Sequence, residues 1–355
     1  MTIYDIDQIK NFLVSKRISS GNDFKDLEIM PIYSANNLKK YIECFGNENE
    51  NFDTVIKYYN DFSEKAKDSK LTKREQIYWL MIHGVEVNNK GFAMEFLTQR
   101  NYFYKIIQYV KDFPNEVVDF DQLVDLSTID MELRYVLLKA SLDVEHAIKT
   151  FLSRIITNST THDGYQIVSD VFKEDDDFKE KVFRPFGRYE SGCFKINDGY
   201  AEIYKHPSFW FVIENTTLGK VTPFVNYLSQ KSPMNKDLTL IKASIYSVSK
   251  LRNKAAHSNG ILNTDIIKRK RNINIDSNIY NGLIMDGFNK NIFRTPLLAQ
   301  IAILIFLHKK LTSKKMHEHR ILEIEEVVNR SKRKKYKNSP TIDGFISDLN
   351  LLLTN

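Results

Sequence analysis

Residues 128–158 read TIDMELRYVLLKASLDVEHAIKTFLSRIITN. Apolar side chains recur in this segment every three or four residues, which is the spacing of one face of an α-helix. The members of this stripe are Leu133, Val136, Leu137, Ala140, Val144, Ile148, Phe151 and Ile155. An uninterrupted stripe of this length predicts a long amphipathic helix that buries one face against other elements.

The remainder of the chain favours the same secondary structure. Its 355 residues include only 13 Gly and 8 Pro, so turn-forming residues are scarce. The apolar stretch from Pro296 to Leu307 is too short for a membrane span and predicts a buried helix. The acidic and apolar stretch 117–130 is interpreted as a connector or a short helix. With no pattern of alternating strands and turns, we predict a mainly α fold.

Positive charge is concentrated near the C-terminus. The formal net charge of the chain is +6, but the residues from Leu262 onward carry +8 and the first 261 residues carry −2. This asymmetry predicts an anionic partner such as a nucleic acid, with a solvated charged surface as the alternative. The candidate RNA-binding residues are Lys268, Arg269, Lys270, Arg271, Arg330, Lys332, Arg333, Lys334 and Lys335.

The cysteine content and the N-terminal sequence indicate the compartment. A single disulfide between Cys44 and Cys193 could not hold a chain of this size together, and no Cys/His cluster suggests a metal site. The N-terminus lacks the positive start and apolar run of a signal peptide. We therefore expect a reduced, cytoplasmic protein without metal, cofactor or membrane association.

The segment Leu251–Asn263, which reads LRNKAAHSNGILN, closes a second predicted amphipathic helix. Asn253 and His257 are four residues apart and therefore share a helix face, with Arg252 at the edge of that face. Arg252 can neutralise the charge that develops on phosphoryl oxygens, and His257 can take a proton from a ribose 2′-OH. This chemistry predicts metal-independent RNA cleavage that leaves a 2′,3′-cyclic phosphate.

One histidine does not conveniently serve as both base and acid in a single step. No second Arg-x(4–6)-His pair accompanies the other seven histidines, so a second motif would come from another subunit across a two-fold interface. The alternative is structural, because Arg252, Asn253 and His257 could simply cap the last carbonyls of their helix.

Three blocks of residues resemble the Abi-like abortive-infection family of the AbiD/AbiF type. They are Ile129–Arg134 with the later Glu145, Pro207–Glu214 with Leu218–Lys220, and Leu251–Asn263. Their order and spacing agree over about residues 118–265. Within the third block, Arg-Asn-x-x-x-His also resembles the RNA-cleaving motif of the HEPN superfamily.

The resemblance implies a HEPN-type helical bundle, a homodimer with a paired active site, and defence against phage by RNA cleavage. Its catalytic residues would be Arg252, Asn253 and His257, supported by Glu145 and Asn263. The residues themselves leave the role of Glu145 open, since it could hydrogen-bond an active-site Arg or His, or pair with Lys149 on its own helix. The resemblance also suggests a small structured non-coding RNA as a partner.

The resulting division has three regions. Residues 1–115 form an N-terminal helical region, 116–265 a HEPN-like core with a surface excursion at about 172–206, and 266–355 a basic C-terminal helical region. The leading hypothesis is an endoribonuclease of an abortive-infection or toxin–antitoxin system. The alternatives are a non-catalytic RNA-binding module of a defence ribonucleoprotein, and a protein-only toxin or sensor whose partner is a phage protein.

Overall fold

A computed structural model describes residues 71–353, with the exception of 83, 102, 111, 114–117, 162, 258–259, 269–274 and 333–338. The described chain is mainly helical, which confirms the predicted fold class, and its strands form only two short two-stranded sheets. Most of the predicted N-terminal region lies outside the described residues. The described chain divides into two compact units, 71–128 with Ser339 and 129–332 with 340–353. The division into three regions stays a prediction.

The first unit consists of short helices and one pair of two-residue strands. Its elements are α1 (Lys73–Ile82), β1 (Val85–Glu86), α2 (Lys90–Glu95), a π-helix (Phe96–Arg100), α3 (Phe103–Val110), β2 (Val118–Asp119) and the start of α4 (Phe120–Thr157). The strands pair in parallel. The rings of Phe92 and Phe96 both meet Phe120 edge to face, which is a favourable aromatic geometry within this core.

Helix α4 confirms the strongest sequence prediction and is longer than expected. It begins at Phe120 rather than near Thr128, so the stretch interpreted as a connector or short helix is its first part. The apolar stripe continues upstream through Leu123 and Leu126, both buried. The aspartates in this stretch obscured that periodicity.

The second unit continues α4 and adds the remaining elements. They are α5 (Gln166–Glu174), α6 (Asp176–Phe183), β3 (Gly187–Glu190), β4 (Cys193–Ile196), α7 (Ala201–Lys205), α8 (Phe209–Glu214), α9 (Leu218–Lys231), α10 (Lys236–Ala256), α11 (Thr264–Ile267), α12 (Ser277–Met285), α13 (Pro296–Leu311), α14 (Lys314–Lys332) and α15 (Pro340–Leu353). Single 3₁₀ turns lie at Arg184–Phe186, Asp198–Tyr200 and Lys290–Arg294.

Helix α13 forms the centre of the second unit. Every residue from Leu297 to His308 except Gln300 is buried, and the helix packs against α10, α12 and α15. A helix that is apolar on all sides is expected to lie inside a protein, which confirms the prediction for Pro296–Leu307. None of the described helices combines the length and apolar character needed to cross a membrane.

The segment 172–206 is only partly the expected surface excursion. Helix α6 buries Phe178, Val182 and Phe183, so one face of this helix belongs to the core of the second unit. The next part forms an antiparallel hairpin of β3 and β4. Ser191 and Gly192 both have positive φ at its turn, as two-residue hairpin turns favour, and the side chains around this turn are exposed.

Candidate active site

Helix α10, which carries the motif, is shaped by an apolar stripe and an N-terminal cap. Its buried face includes Leu238, Ile241, Ile245, Val248, Leu251 and Ala255. The Asn235 side-chain oxygen accepts hydrogen bonds from the main-chain N–H groups of Asp237 and Leu238, at 3.1 Å each. This packing fixes the rotation of the helix about its axis, so that Asn253 is exposed and Arg252 is half-buried.

Arg252, Asn253 and His257 occupy the last turn and the C-terminal cap of α10. Nη1 of Arg252 donates a hydrogen bond to Oδ1 of Asn253 at 3.1 Å. His257 is the capping residue, with an extended backbone, and its N–H donates to the Asn253 carbonyl at 3.0 Å. Its imidazole is exposed. The structure thus joins Arg252 to Asn253 and leaves the His257 ring open to solvent.

Glu145 connects α4 to this motif. Its Oε1 lies 3.1 Å from Nζ of Lys149, and its Oε2 lies 3.9 Å from Nε of Arg252. The pairing with Lys149 is therefore present, whereas Arg252 lies beside Glu145 without the hydrogen bond that the other interpretation requires. Lys149 also donates to the carbonyl of Thr216 at 2.6 Å, so the ammonium is held from a second direction.

The pairing of Glu145 with Arg252 is an ion pair without a hydrogen bond. Oε2 and Nε are buried, and neither has a hydrogen-bond partner among the described residues. Charges that are withdrawn from water are screened less, so the carboxylate still attracts the guanidinium at this distance. About a quarter of the Arg252 side chain, 26%, remains exposed. Arg252 is oriented by Glu145 and remains accessible to an anion.

Asp130 and Arg134, which belong to the first block of the family resemblance but received no individual role from the sequence, contact the chain on either side of His257. Oδ1 of Asp130 accepts hydrogen bonds from the N–H groups of Ile261 at 2.5 Å and Leu262 at 2.7 Å. Nη1 of Arg134 lies 3.3 Å from the His257 carbonyl. The sequence did contain a signal for this buried ion pair, because opposite charges stand four residues apart on the apolar face of α4. Charged side chains are seldom buried unpaired.

Asn263 lies in the same segment and is buried. Its Nδ2 donates to the Gly260 carbonyl at 3.3 Å, and its Oδ1 accepts from the N–H of Ile266 at 2.9 Å. This is the geometry of an N-terminal helix cap. The structure therefore gives Asn263 a local contact that starts α11, and a supporting role in catalysis stays a prediction.

The predicted RNA-binding residues have different surroundings. Lys268 is exposed. Arg330 forms an ion pair with Glu132 on α4, and Lys332 donates to Oδ1 of Asn350 at 2.6 Å. The others lie outside the described residues: Arg269, Lys270, Arg271, Arg333, Lys334 and Lys335. Their part in RNA binding stays a prediction.

An aromatic and basic pair on α10 was not singled out from the sequence. Tyr246 is 65% exposed, and Nζ of Lys250 lies 4.4 Å from the centre of its ring. Tyr246, Lys250 and Asn253 are spaced by four and three residues, so they share the exposed face that ends at His257. Exposed rings beside cations are suited to stacking on unpaired bases.

In the described part of the chain, no three His, Cys, Asp or Glu side chains are grouped so that they could hold a metal ion. A family model described as Abi-like protein matches residues 94–263. The matched region contains Asp130, Arg134, Glu145 and the motif on α10. Comparison with curated proteins found no match, and comparison with solved structures found none.

Proposed function

The chain belongs to the Abi-like protein family through residues 94–263, which indicates a role in abortive infection, and we propose that it acts as a metal-independent endoribonuclease. The HEPN type of fold and chemistry is part of this proposal. The observation that carries it is the end of α10, where a carboxylate-oriented Arg252 adjoins Asn253 and an exposed His257.

The proposed reaction is attack of a ribose 2′-OH on the adjacent phosphate. Neutral His257 takes the 2′-OH proton, the O2′–P bond forms, and the bond from phosphorus to the leaving 5′-oxygen breaks. A protonated imidazole gives its proton to that oxygen. Arg252 stabilises the negative charge on the phosphoryl oxygens, and Asn253 orients the guanidinium. The products are a 2′,3′-cyclic phosphate and a 5′-hydroxyl, and DNA is resistant because it lacks the 2′-OH.

A homodimer completes this chemistry. One imidazole is then the base while the other is the acid, and a two-fold axis would place two copies of the motif face to face. The exposure of both Asn253 and His257 is compatible with such a pairing. The test is whether specific activity rises with protein concentration in parallel with dimer formation measured by sedimentation velocity.

We expect His257→Ala to reduce RNA cleavage at least about 100-fold, because a positioned acid or base contributes about that much or more. The measurement is cleavage of 5′-labelled RNA in EDTA, with the product end identified as a cyclic phosphate. His206→Ala is the matched control, since His206 is also exposed and also caps a helix, α7. Equal cleavage by wild type and His257→Ala would show that the assignment is wrong.

A bound small structured RNA is the proposed regulator. The excess positive charge after Leu262 supports this partner. RNA that co-purifies with the wild type and with His257→Ala should be sequenced in parallel. A discrete small RNA on both proteins is expected. If such an RNA is present but no His257-dependent cleavage occurs, the alternative of a non-catalytic RNA-binding module is favoured.

A further inference from the structure

After α10, the described chain is buried again from Gly260 onward. Gly260, Ile261, Leu262 and Asn263 are all buried, although His257 itself is exposed. Main-chain N–H and C=O groups in such a segment need partners, since a buried polar group without one is costly. The last carbonyls of a helix also lack partners within the helix. Two charged side chains of α4 supply several of these partners.

Asp130 binds the main chain after His257, and Arg134 binds the main chain at and just before His257. Asp130 is fully buried and accepts hydrogen bonds from two successive N–H groups, those of Ile261 and Leu262. Nη1 of Arg134 lies 3.5 Å from the carbonyl of Ala255 and 3.3 Å from that of His257. The exposed His257 is therefore flanked on both sides by buried main-chain contacts.

The two side chains also hold each other. Nε of Arg134 donates to Oδ2 of Asp130 at 3.0 Å, four residues apart on α4. Both carboxylate oxygens of Asp130 thus accept hydrogen bonds, Oδ1 from the main chain and Oδ2 from Arg134. Fully partnered buried networks allow a single arrangement, so movement of the segment would break several charge-assisted bonds together.

We propose that Asp130 and Arg134 are positioning residues that fix the main chain at His257 and thereby place its imidazole at the scissile phosphate. This inference rests on the proposed ribonuclease function. Neither side chain touches the substrate, because both are buried. Their effect is on orientation, where a displacement of about 1 Å can cost about 100-fold in rate.

A role in stability alone makes a different prediction. Buried ion pairs often contribute little net stability and can be replaced as a pair, whereas removal of one partner leaves an uncompensated charge. The double variant Asp130→Asn with Arg134→Met removes both charges together. A purely structural pair would then be dispensable for activity once the protein folds.

For this double variant we expect near-native thermal stability and a kcat that falls about 30-fold or more, with the KM for RNA within about twofold of wild type. Amide exchange at Ile261 and Leu262 should accelerate about tenfold, since neutral hydrogen bonds are weaker than charge-assisted ones. Wild-type kcat in a folded double variant would overturn the proposal.

Arg134→Lys is the second variant, for the case in which the double variant does not fold. It keeps a positive charge beside Asp130 but replaces the planar fork, which reaches two carbonyls, with a single ammonium. We expect the same loss of kcat with KM retained. A folded Arg134→Lys protein with wild-type kcat would also overturn the proposal.

The matched control is the double variant Asp143→Asn with Arg320→Met. This ion pair, with 2.8 Å between Nη2 and Oδ2, joins α4 to α14. It should leave both kcat and exchange at Ile261 and Leu262 unchanged. If wild-type protein shows no His257-dependent cleavage, the proposed function fails. Amide exchange then tests separately whether Asp130 and Arg134 fix the main chain near His257. Unchanged exchange at Ile261 and Leu262 in the Asp130/Arg134 double variant would overturn that inference.

Discussion

Arg252 is the residue on which the proposed chemistry depends most directly. Two side chains contact it: Glu145 offsets its charge, and Asn253 accepts a hydrogen bond from Nη1. Lys149 in turn contacts the other carboxylate oxygen of Glu145. Since Glu145 lies between two cations, its negative charge keeps Arg252 and Lys149 together. The arrangement orients one guanidinium and leaves part of it exposed.

We predict that Arg252→Lys lowers cleavage about 100-fold at saturating RNA. Lysine keeps the charge but loses the planar fork of donors that matches phosphate oxygens, and loss of one such stabilising group costs about that much. Single-turnover cleavage measures the effect. Lys236→Arg, at the opposite end of α10, is the matched exchange and should cleave at the wild-type rate. Equal rates for Arg252→Lys and wild type would contradict the assigned role.

Helices α13 and α14 meet at a cluster of two histidines and an ion pair. Nδ1 of His308 lies 3.2 Å from Nδ1 of His317, and Nε2 of His308 lies 3.1 Å from Oδ2 of Asp143. Arg320 donates to the same carboxylate at 2.9 Å from Nε. Two ring nitrogens that face each other can share one proton but cannot both carry one without repulsion. The cluster therefore requires at least one neutral imidazole.

Burial lowers the pKa of His308, although Asp143 opposes this shift. Burial also lowers the pKa of His317, with further contributions from His308 and Lys309. A folded-state pKa below the usual 6.5 means that the unfolded chain binds protons more readily. This contribution to stability is therefore complete above pH 6.5 and is lost as the pH falls towards the folded-state pKa values.

We expect the melting temperature to fall as the pH is lowered from 7.5 to 5.5. Each histidine should add up to about 1.4 kcal/mol per pH unit to the slope of the unfolding free energy against pH. The His317→Gln variant should show a shallower fall, because one titrating group is removed. Identical profiles for His317→Gln and wild type would contradict this origin of the pH dependence. Thermal melts followed by circular dichroism provide the measurement.

At the scale of the whole molecule, the uneven charge distribution is the feature most relevant to partners. The residues from Leu262 onward carry +8 against −2 for those before it. Within the described residues, however, some of this charge is compensated locally, since Arg330 pairs with Glu132. Net charge therefore overstates the number of cations available to RNA.

We predict that Lys268→Gln combined with Lys332→Gln weakens RNA binding and makes its salt dependence shallower. Removing one lysine–phosphate ion pair should reduce the slope of log K against log salt by about 0.7 for single-stranded RNA. The rate of cleavage at saturating RNA should not change. The measurement is a fluorescence binding titration at several salt concentrations, and an unchanged slope would exclude these two residues from the RNA interface.

The helices were the most predictable part of the molecule. The stripes of α4 and α10 and the apolar run of α13 identify buried faces, because periodicity reports which side of a helix is withdrawn from water. The start of α4 was missed, since its aspartates masked the contribution of Leu123 and Leu126. The hairpin was also missed, although Ser191-Gly192 is a turn signal.

The sequence by itself determined the helical class, because periodicity follows from spacing along one chain, and it carried the resemblance to the Abi-like family that the match over residues 94–263 supports. Only the tertiary structure showed that Glu145 contacts both Lys149 and Arg252, and that Asp130 and Arg134 hold the segment around His257. The physical reason is distance along the chain: Asp130 and Ile261 are separated by 131 residues. Periodicity tells which residues are buried, but only packing decides which charges meet there.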